Sequence, residues 1–388
     1  MTTRVCGIGV ASALGIGCNE NLSALLAKRC GIIPASLQLR TNLAVPVGEI
    51  ALSNDQIKQH LGIPPQQTHS RTALLGAIAA REAITMAAIP QGKRVGLISS
   101  TSVGGMDLSE HFYRHYLENH DSGRLRYVAS HECAASTRFI ATQCGITHYA
   151  TTISTACSSA ANAIIMGARM LEQGWLDYAL VGGTDALCAF TLNGFNSLMI
   201  LDRQLCRPLD TTRQGLNLGE GAGYIVLTRD DAPTLGYLAG YANANDAHHQ
   251  TASSENGEGA YRAMSEALAM SRLAPDAIDY VNLHGTGTTN NDASELAALR
   301  RLFGDTLPAS SSTKCYTGHT LAAAGGIEAV YSLLALQHNV KYAALRCDTP
   351  IDGITPLRDT ERTAPVRNVL TNSFGFGGNC SSLIFSQP

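Results

Sequence analysis

A chain of 388 residues, 45% hydrophobic and 15% charged, is long enough for roughly two domains and has ample apolar material for a buried core. Its formal net charge of -3 gives no overall basic footprint, which argues against a nucleic-acid partner, and no window approaches the roughly 20 uncharged apolar residues of a membrane helix. Eleven cysteines without a Cys-x-x-Cys pair, several inside apolar runs (Cys6, Cys188, Cys380), read as reduced buried residues rather than a disulfide framework. The first fifteen residues carry no charged-then-apolar leader, so the expected location is cytoplasmic. The low charge also suggests a surface partly covered by a partner subunit.

In chain order, short β-branched runs alternate with Ala-rich helical stretches. Ser70–Ala88 reads as a helix, Val95–Ser99 and His148–Ile153 as strands, and Ser158–Gln173 as a helix closed by Gly174. Tyr178–Val181 and Tyr224–Thr228 follow as strands. Between them Arg203, Arg207 and Arg213 could form a local basic patch for an acidic protein partner, or simply a solvated face. A mild composition change at Arg229–Pro233 divides the chain into halves at 1–232 and 233–388. The second half offers Gly259–Ser271, Ala293–Phe303 and Thr320–His338 as helices, with Tyr280–Leu283 and Ser382–Phe385 as strands. Such alternation predicts an α/β fold with sheets covered on both faces.

Four segments carry chemistry. In Ser154-Thr155-Ala156-Cys157-Ser158-Ser159-Ala160 a strand leads through a turn into a helix, placing Cys157 where unpaired N–H groups and the helix dipole favour a thiolate. The other ten cysteines read as small core residues. Asn282-Leu283-His284-Gly285-Thr286-Gly287-Thr288 ends a strand in a histidine whose Nε2 can donate to a developing oxyanion or shuttle a proton; Thr286 and Thr288 can hold a polar ligand chain. Asp292 and Glu295 suit the first turn of the following helix. In the segment from Ser312 to Glu328, His319 starts a helix and Lys314 is the natural partner of Glu328, an acid that would be costly unpaired inside an Ala/Gly-rich helix. The helix N-terminus is expected to keep His319 neutral. Asn372-Ser373-Phe374-Gly375-Phe376-Gly377-Gly378-Asn379 is a glycine-rich turn that can aim an N–H at a substrate carbonyl beside the N–H of Cys157, and Phe376 could cover the sulfur; taken alone it could equally be a plain hairpin. Thr155-Ala156-Cys157-Ser158-Ser159-Ala160-Ala161 also resembles Thr317-Gly318-His319-Thr320-Leu321-Ala322-Ala323, as an internal duplication would produce.

These segments, in this order, together with Arg207-Pro208-Leu209-Asp210, Arg213 and Gly219-Glu220-Gly221-Ala222-Gly223, resemble the β-ketoacyl-acyl carrier protein synthases of the thiolase superfamily over nearly the whole chain. The Cys-His-His set is similar to that of the elongating synthases, since the initiating ones carry Cys-His-Asn and thiolases a second cysteine. The resemblance implies a thiolase-like fold: duplicated α/β halves forming a five-layered α-β-α-β-α core, usually dimeric. It implies that Cys157 takes the acyl chain from acyl carrier protein as a thioester. His284 and His319 would then bind the malonyl thioester and assist decarboxylation, Lys314 and Glu328 would set the local charge, and the N–H groups of Cys157 and Phe376 would hold the oxyanion. Thr286 and Thr288 match positions expected to hold the pantetheine arm, and no cofactor is required.

Departures include the missing threonine in Gly375-Phe376-Gly377-Gly378-Asn379, Gln214-Gly215-Leu216 in place of Asp-Gly-Phe, and Asn291 in place of glycine. They point to a specialised type II fatty acid, polyketide or aryl polyene pathway, as the active member of a homodimer or of a heterodimer with a related subunit. The competing readings are a housekeeping elongation synthase, a thiolase or initiating synthase acting on coenzyme A thioesters, and a non-catalytic chain-length or scaffold subunit. Val103, Phe195 and Met199 are the candidates for the wall of the acyl pocket.

Overall fold

Among the described residues, ten of the strands fall into two runs of five. The first run is β1 (Thr3–Ser12), β2 (Val95–Ser100), β3 (Tyr149–Ile153), β4 (Tyr178–Asp185) and β5 (Gly221–Thr228); the second is β6 (Gly236–Asn245), β7 (Tyr280–Asn282), β8 (Ser310–Ser311), β9 (Asn368–Gly375) and β10 (Asn379–Ser386). The computed structural model describes residues 3–39 and 41–388. Spatial order in the first run is β3-β2-β4-β5-β1 and in the second β8-β7-β9-β10-β6, so each run places its third strand outermost and its first innermost. The signs repeat as well. The three outer strands of each run are parallel, and the last two are added antiparallel. Identical order and identical sign in both runs are what a duplicated half gives. The two sheets meet where β1 pairs antiparallel with β6 over Thr3↔Leu238, Arg4↔Tyr237 and Val5↔Gly236.

Helices complete the layers. α1 (Arg71–Ala87) and α2 (Cys133–Gln143) cover the outer face of the first sheet; α4 (Glu258–Ser271), backed by α5 (Thr289–Phe303), covers that of the second. Between the sheets lie α3 (Ser159–Glu172) and α6 (Ala324–His338), giving the five-layered arrangement. The central position explains the composition of α6. Every residue from Ala324 to Leu336 is buried, and the helix runs so close to β5 that a Cβ on Gly223 would lie 2.3 Å from Gly326 C and Ile327 N. Small residues permit that approach, and the Leu, Val and Ile side chains flanking them supply about 1.5–3 kcal/mol each on burial. Each predicted helix and strand is present within a few residues; α5 begins four residues before the expected start, at Thr289. All eleven cysteines are free. No helix among the described residues is long and apolar enough to cross a membrane.

Candidate active site

The C-terminal ends of the strands deliver the reactive residues to one cavity. After β3 the chain turns through Ala156, held in the left-handed region at φ 52, so that Cys157 stands two residues before α3 begins. Ser159 secures this turn: its Oγ accepts the Thr155 N–H at 2.8 Å and donates to Ala156 O at 2.5 Å. His284 follows β7, His319 lies between β8 and α6, and the Phe376–Gly378 turn joins β9 to β10. Cys157, His284, His319, Phe374 and Phe376 line a cavity of about 310 Å³, which Thr286, Thr288, Phe195 and Met199 also border. The histidine rings meet edge to face, with centroids 5.4 Å apart at 87°.

The hydrogen bonds of the two histidines settle where their protons sit. Lys314 Nζ donates to Glu328 Oε1 at 2.5 Å, to His284 O at 2.7 Å and to His284 Nδ1 at 3.2 Å, which uses all three of its protons. His319 Nδ1 accepts the Leu321 N–H at 3.1 Å. With Nδ1 occupied as an acceptor in both rings, each imidazole carries its proton on Nε2. Burial, with the Lys314 charge beside it, holds both rings well below the usual histidine range, and His284 is depressed further by His319. They are therefore neutral hydrogen-bond donors at pH 7. His319 does not reach this state through a helix dipole, because α6 starts only at Ala324, after a short 3₁₀ turn. Burial outweighs the pull of Lys314 on Glu328 and pushes its carboxyl up to about 7.

Cys157 departs from expectation. The residue is only 6% exposed, and its burial pushes the thiol up to about 11, although Lys314 and the N–H groups of Phe376 and Cys157 pull the other way. Desolvation of the anion exceeds what a helix end returns. Both of these N–H groups thus bear on the sulfur. Gly375 makes the approach of the closing strand possible: a Cβ there would lie 2.8 Å from Thr155 O and 3.2 Å from Cys157 N. Phe376 stacks on Phe195, centroids 5.9 Å apart at 17°.

Other expectations divide. Thr286 and Thr288 bond to each other through their hydroxyls at 2.9 Å at the edge of the cavity. Val103 does not line the cavity; it packs with Leu187, Cys188 and Leu192 in a core cluster that shares Phe195, Ile200 and Leu216 with the cavity lining. Arg203 is exposed, whereas Arg213 is drawn inward toward Asp292 at 3.6 Å and donates to Asp210 O and Thr289 O, so the three arginines do not form one patch. Asp292 stands in the first turn of α5, as expected, and Glu295 one turn further on; both reach back to fasten the loop that carries His284. Asp292 accepts from Leu209 N and Gly287 N, and Glu295 from His284 N at 3.0 Å and Gly285 N at 2.8 Å. Burial pushes Glu295 up to about 7. Asp185 went unremarked in the sequence: this buried acid accepts the Ala322 N–H at 2.8 Å just after His319, and also binds Thr101 and Ser102. An acid ending the uniformly buried β4 was the available signal. Among the described residues no group of three or more His, Cys, Asp or Glu side chains is arranged to hold a metal ion.

Residues 3–232 match the family described as beta-ketoacyl synthase, N-terminal domain, and residues 235–347 match beta-ketoacyl synthase, C-terminal domain. The chain is 40% identical over 256 residues to the mitochondrial 3-oxoacyl-[acyl-carrier-protein] synthase of Arabidopsis thaliana, a match covering 60% of this chain but only 55% of that protein. Against 3-oxoacyl-[acyl-carrier-protein] synthase 1 of Haemophilus influenzae it is 28% identical, covering 99% of this chain and 98% of the relative. Among solved structures, a chain of the ishigamide ketosynthase/chain length factor superposes with a TM-score of 0.92 at 27% identity, covering 100% of this chain and 99% of the other. A chain of the Xenorhabdus doucetiae ketosynthase in complex with its chain length factor gives 0.85 at 31%, covering 100% and 98%.

Proposed function

The chain belongs to the β-ketoacyl synthase family, and on that premise we propose that it catalyses the decarboxylative Claisen condensation of a cysteine-bound acyl chain with malonyl-acyl carrier protein, giving 3-oxoacyl-acyl carrier protein. The observation that carries this reading is the pair of neutral imidazoles, each with Nδ1 occupied, which leaves two Nε2–H donors for one thioester oxygen. Cys157 Sγ attacks the carrier-bound acyl thioester, and the carrier's pantetheine thiol leaves. The malonyl thioester then enters with its carbonyl oxygen against His284 and His319. Charge moving onto that oxygen as CO2 departs is stabilised by both donors in a site shielded from water. The resulting carbanion attacks the acyl-cysteine carbonyl, whose oxyanion lies against the N–H groups of Cys157 and Phe376; collapse expels the Cys157 thiolate. Lys314 holds His284 in the required tautomer, and burial, reinforced by the Lys314 charge, keeps both rings neutral.

In this reading the acyl chain lies toward Phe195, which stacks on Phe376, and the carrier arm toward Thr286 and Thr288; all four border the cavity, as does Met199, which is 87% exposed. The halves are 1–232 and 233–388. The working partners are acyl carrier protein and a second synthase-fold subunit, the substrates ride on phosphopantetheine without a further cofactor, and the protein acts in the cytoplasm. A specialised pathway is favoured by the departures at Gln214, Asn291 and the closing turn, and by the likeness to ketosynthase and chain length factor complexes. Mass spectrometry after incubation with acyl-loaded carrier protein should find one acyl adduct, on Cys157, absent in Cys157→Ala. An unmodified Cys157 beside a competent carrier would favour a scaffold subunit instead, and much faster acylation by coenzyme A thioesters would favour the initiating class.

A further inference from the structure

One arm of the cavity is polar, and its walls come from segments far apart in sequence: the loop 246–254 and the entry to α5 at 288–291. Asn290 joins them. Its Oδ1 accepts the Ser253 N–H at 2.8 Å and its Nδ2 donates to Ser253 O at 3.1 Å. A primary amide presents donor and acceptor side by side, so this pair grips both polar groups of one backbone residue as a rung of sheet would.

The same loop then reaches the closing turn. Gly377 N donates to Gln250 O at 2.7 Å, Asn245 Nδ2 donates to Gly377 O at 3.1 Å, and Asp246 N donates to Gly378 O at 2.8 Å. Gly377 directly follows Phe376, whose N–H faces the Cys157 sulfur. From the Asn290 amide to that N–H, the connection runs through consecutive backbone segments and direct hydrogen bonds. Asp246 ties the ends of the loop together by accepting from Ser254 N and Oγ and from Gly259 N. The attachment at Ser253 is separate: it fixes the loop to the opposite wall of the arm.

Resting on the condensation chemistry proposed above, we propose that Asn290 is a positioning residue: by clamping Ser253 it holds the 246–254 loop against the Phe376–Gly378 turn and so keeps the Phe376 N–H in place for the oxyanion. The steps that use this N–H are acyl transfer to Cys157 and the condensation itself. Decarboxylation, which uses the two histidines, does not depend on it.

The test follows from that division. Outright loss of one oxyanion donor costs about 10²–10³ in rate, so loosening one should cost on the order of tenfold. Asn290→Ala should acylate Cys157 about tenfold more slowly at saturating acyl-carrier protein, with an unchanged KM. Asn290→Asp, which keeps the acceptor and loses the donor, should fall between. Decarboxylation of malonyl-carrier protein, measured in a Cys157→Gln background, should be the same with and without Asn290→Ala. Acylation by Asn290→Ala at the parent rate would overturn the proposal. So would a raised KM with unchanged maximal rate, which would make Asn290 a direct substrate contact, or an equal loss of decarboxylation, which would mean general loosening. Failure of Cys157→Gln alone to decarboxylate would count against the condensation reading and not against the clamp. Asn290 is exposed, so the Ala variant should fold; an unchanged thermal midpoint checks this.

Discussion

The turn that carries Cys157 and the turn that carries His319 occupy the same place in the two halves, each leaving the third strand of its sheet and entering a central helix. Their surroundings differ in charge. Five positions before His319 stands Lys314 and nine after it Glu328, a buried ion pair; the same offsets from Cys157 fall on Thr152 and Met166. Around the first turn the polar groups are neutral, with Asn379 Oδ1 accepting from Ser158, Asn162 and Asn243. Two equivalent turns thus face one cavity, and on the proposed reading one is the covalent anchor and the other the electrostatic site. Position in the fold set the geometry, while a few charged substitutions set the chemistry.

If the two turns have separate tasks, they can be disabled separately. His319→Ala should reduce malonyl decarboxylation by about 10³ while acyl adducts still form on Cys157; Cys157→Gln should do the reverse, retaining decarboxylation and losing condensation. Loss of both activities in either variant, followed by CO2 release and mass spectrometry, would show that the turns work as one unit. Making the second turn resemble the first is the next largest change. Lys314→Met strands Glu328 in the core and frees His284 Nδ1, so decarboxylation should drop by about 10² and stability by about 3–5 kcal/mol. Lys314→Met with Glu328→Met should recover most of that stability in denaturant melts, yet none of the rate.

pH provides a finer comparison. With its thiol near 11, Cys157 should be alkylated about tenfold faster for each pH unit between 7 and 10; a plateau below pH 8 would show that the sulfur is ionised at rest. The histidines are shifted the opposite way. As pH falls below about 6.5 the unfolded rings take up protons that the folded ones refuse, so their contribution to stability is present above 6.5 and lost progressively below it. The rings should therefore stay neutral from pH 8 to 6.5, so a change in decarboxylation rate across that window would report the Glu328 carboxyl, which lies at about 7. Smallest is Glu295→Gln, which keeps the volume but weakens the bonds to His284 N and Gly285 N; about 1–3 kcal/mol of stability should go, with the acylation rate unmoved.

Much of this was legible beforehand. Ala-rich runs and β-branched runs located the helices and strands, and the pairing of Lys314 with Glu328 followed from the cost of a lone buried acid. The Cys157 thiol was misjudged because sequence reveals a helix start but not how deeply the sulfur is sunk. Val103 was misplaced because an apolar residue looks the same whether it faces a cavity or a closed core. Asp185, Glu295 and Asn290 act on partners 10 to 137 residues away, a relation that local pattern does not encode.

The short antiparallel junction between β1 and β6 has a mechanical consequence. Because backbone hydrogen bonds run from one half directly into the other, a clamshell opening of the halves would have to tear a ladder in the middle of the molecule. The junction thus ties the two halves together at the centre of the sheet, away from the loops that border the cavity.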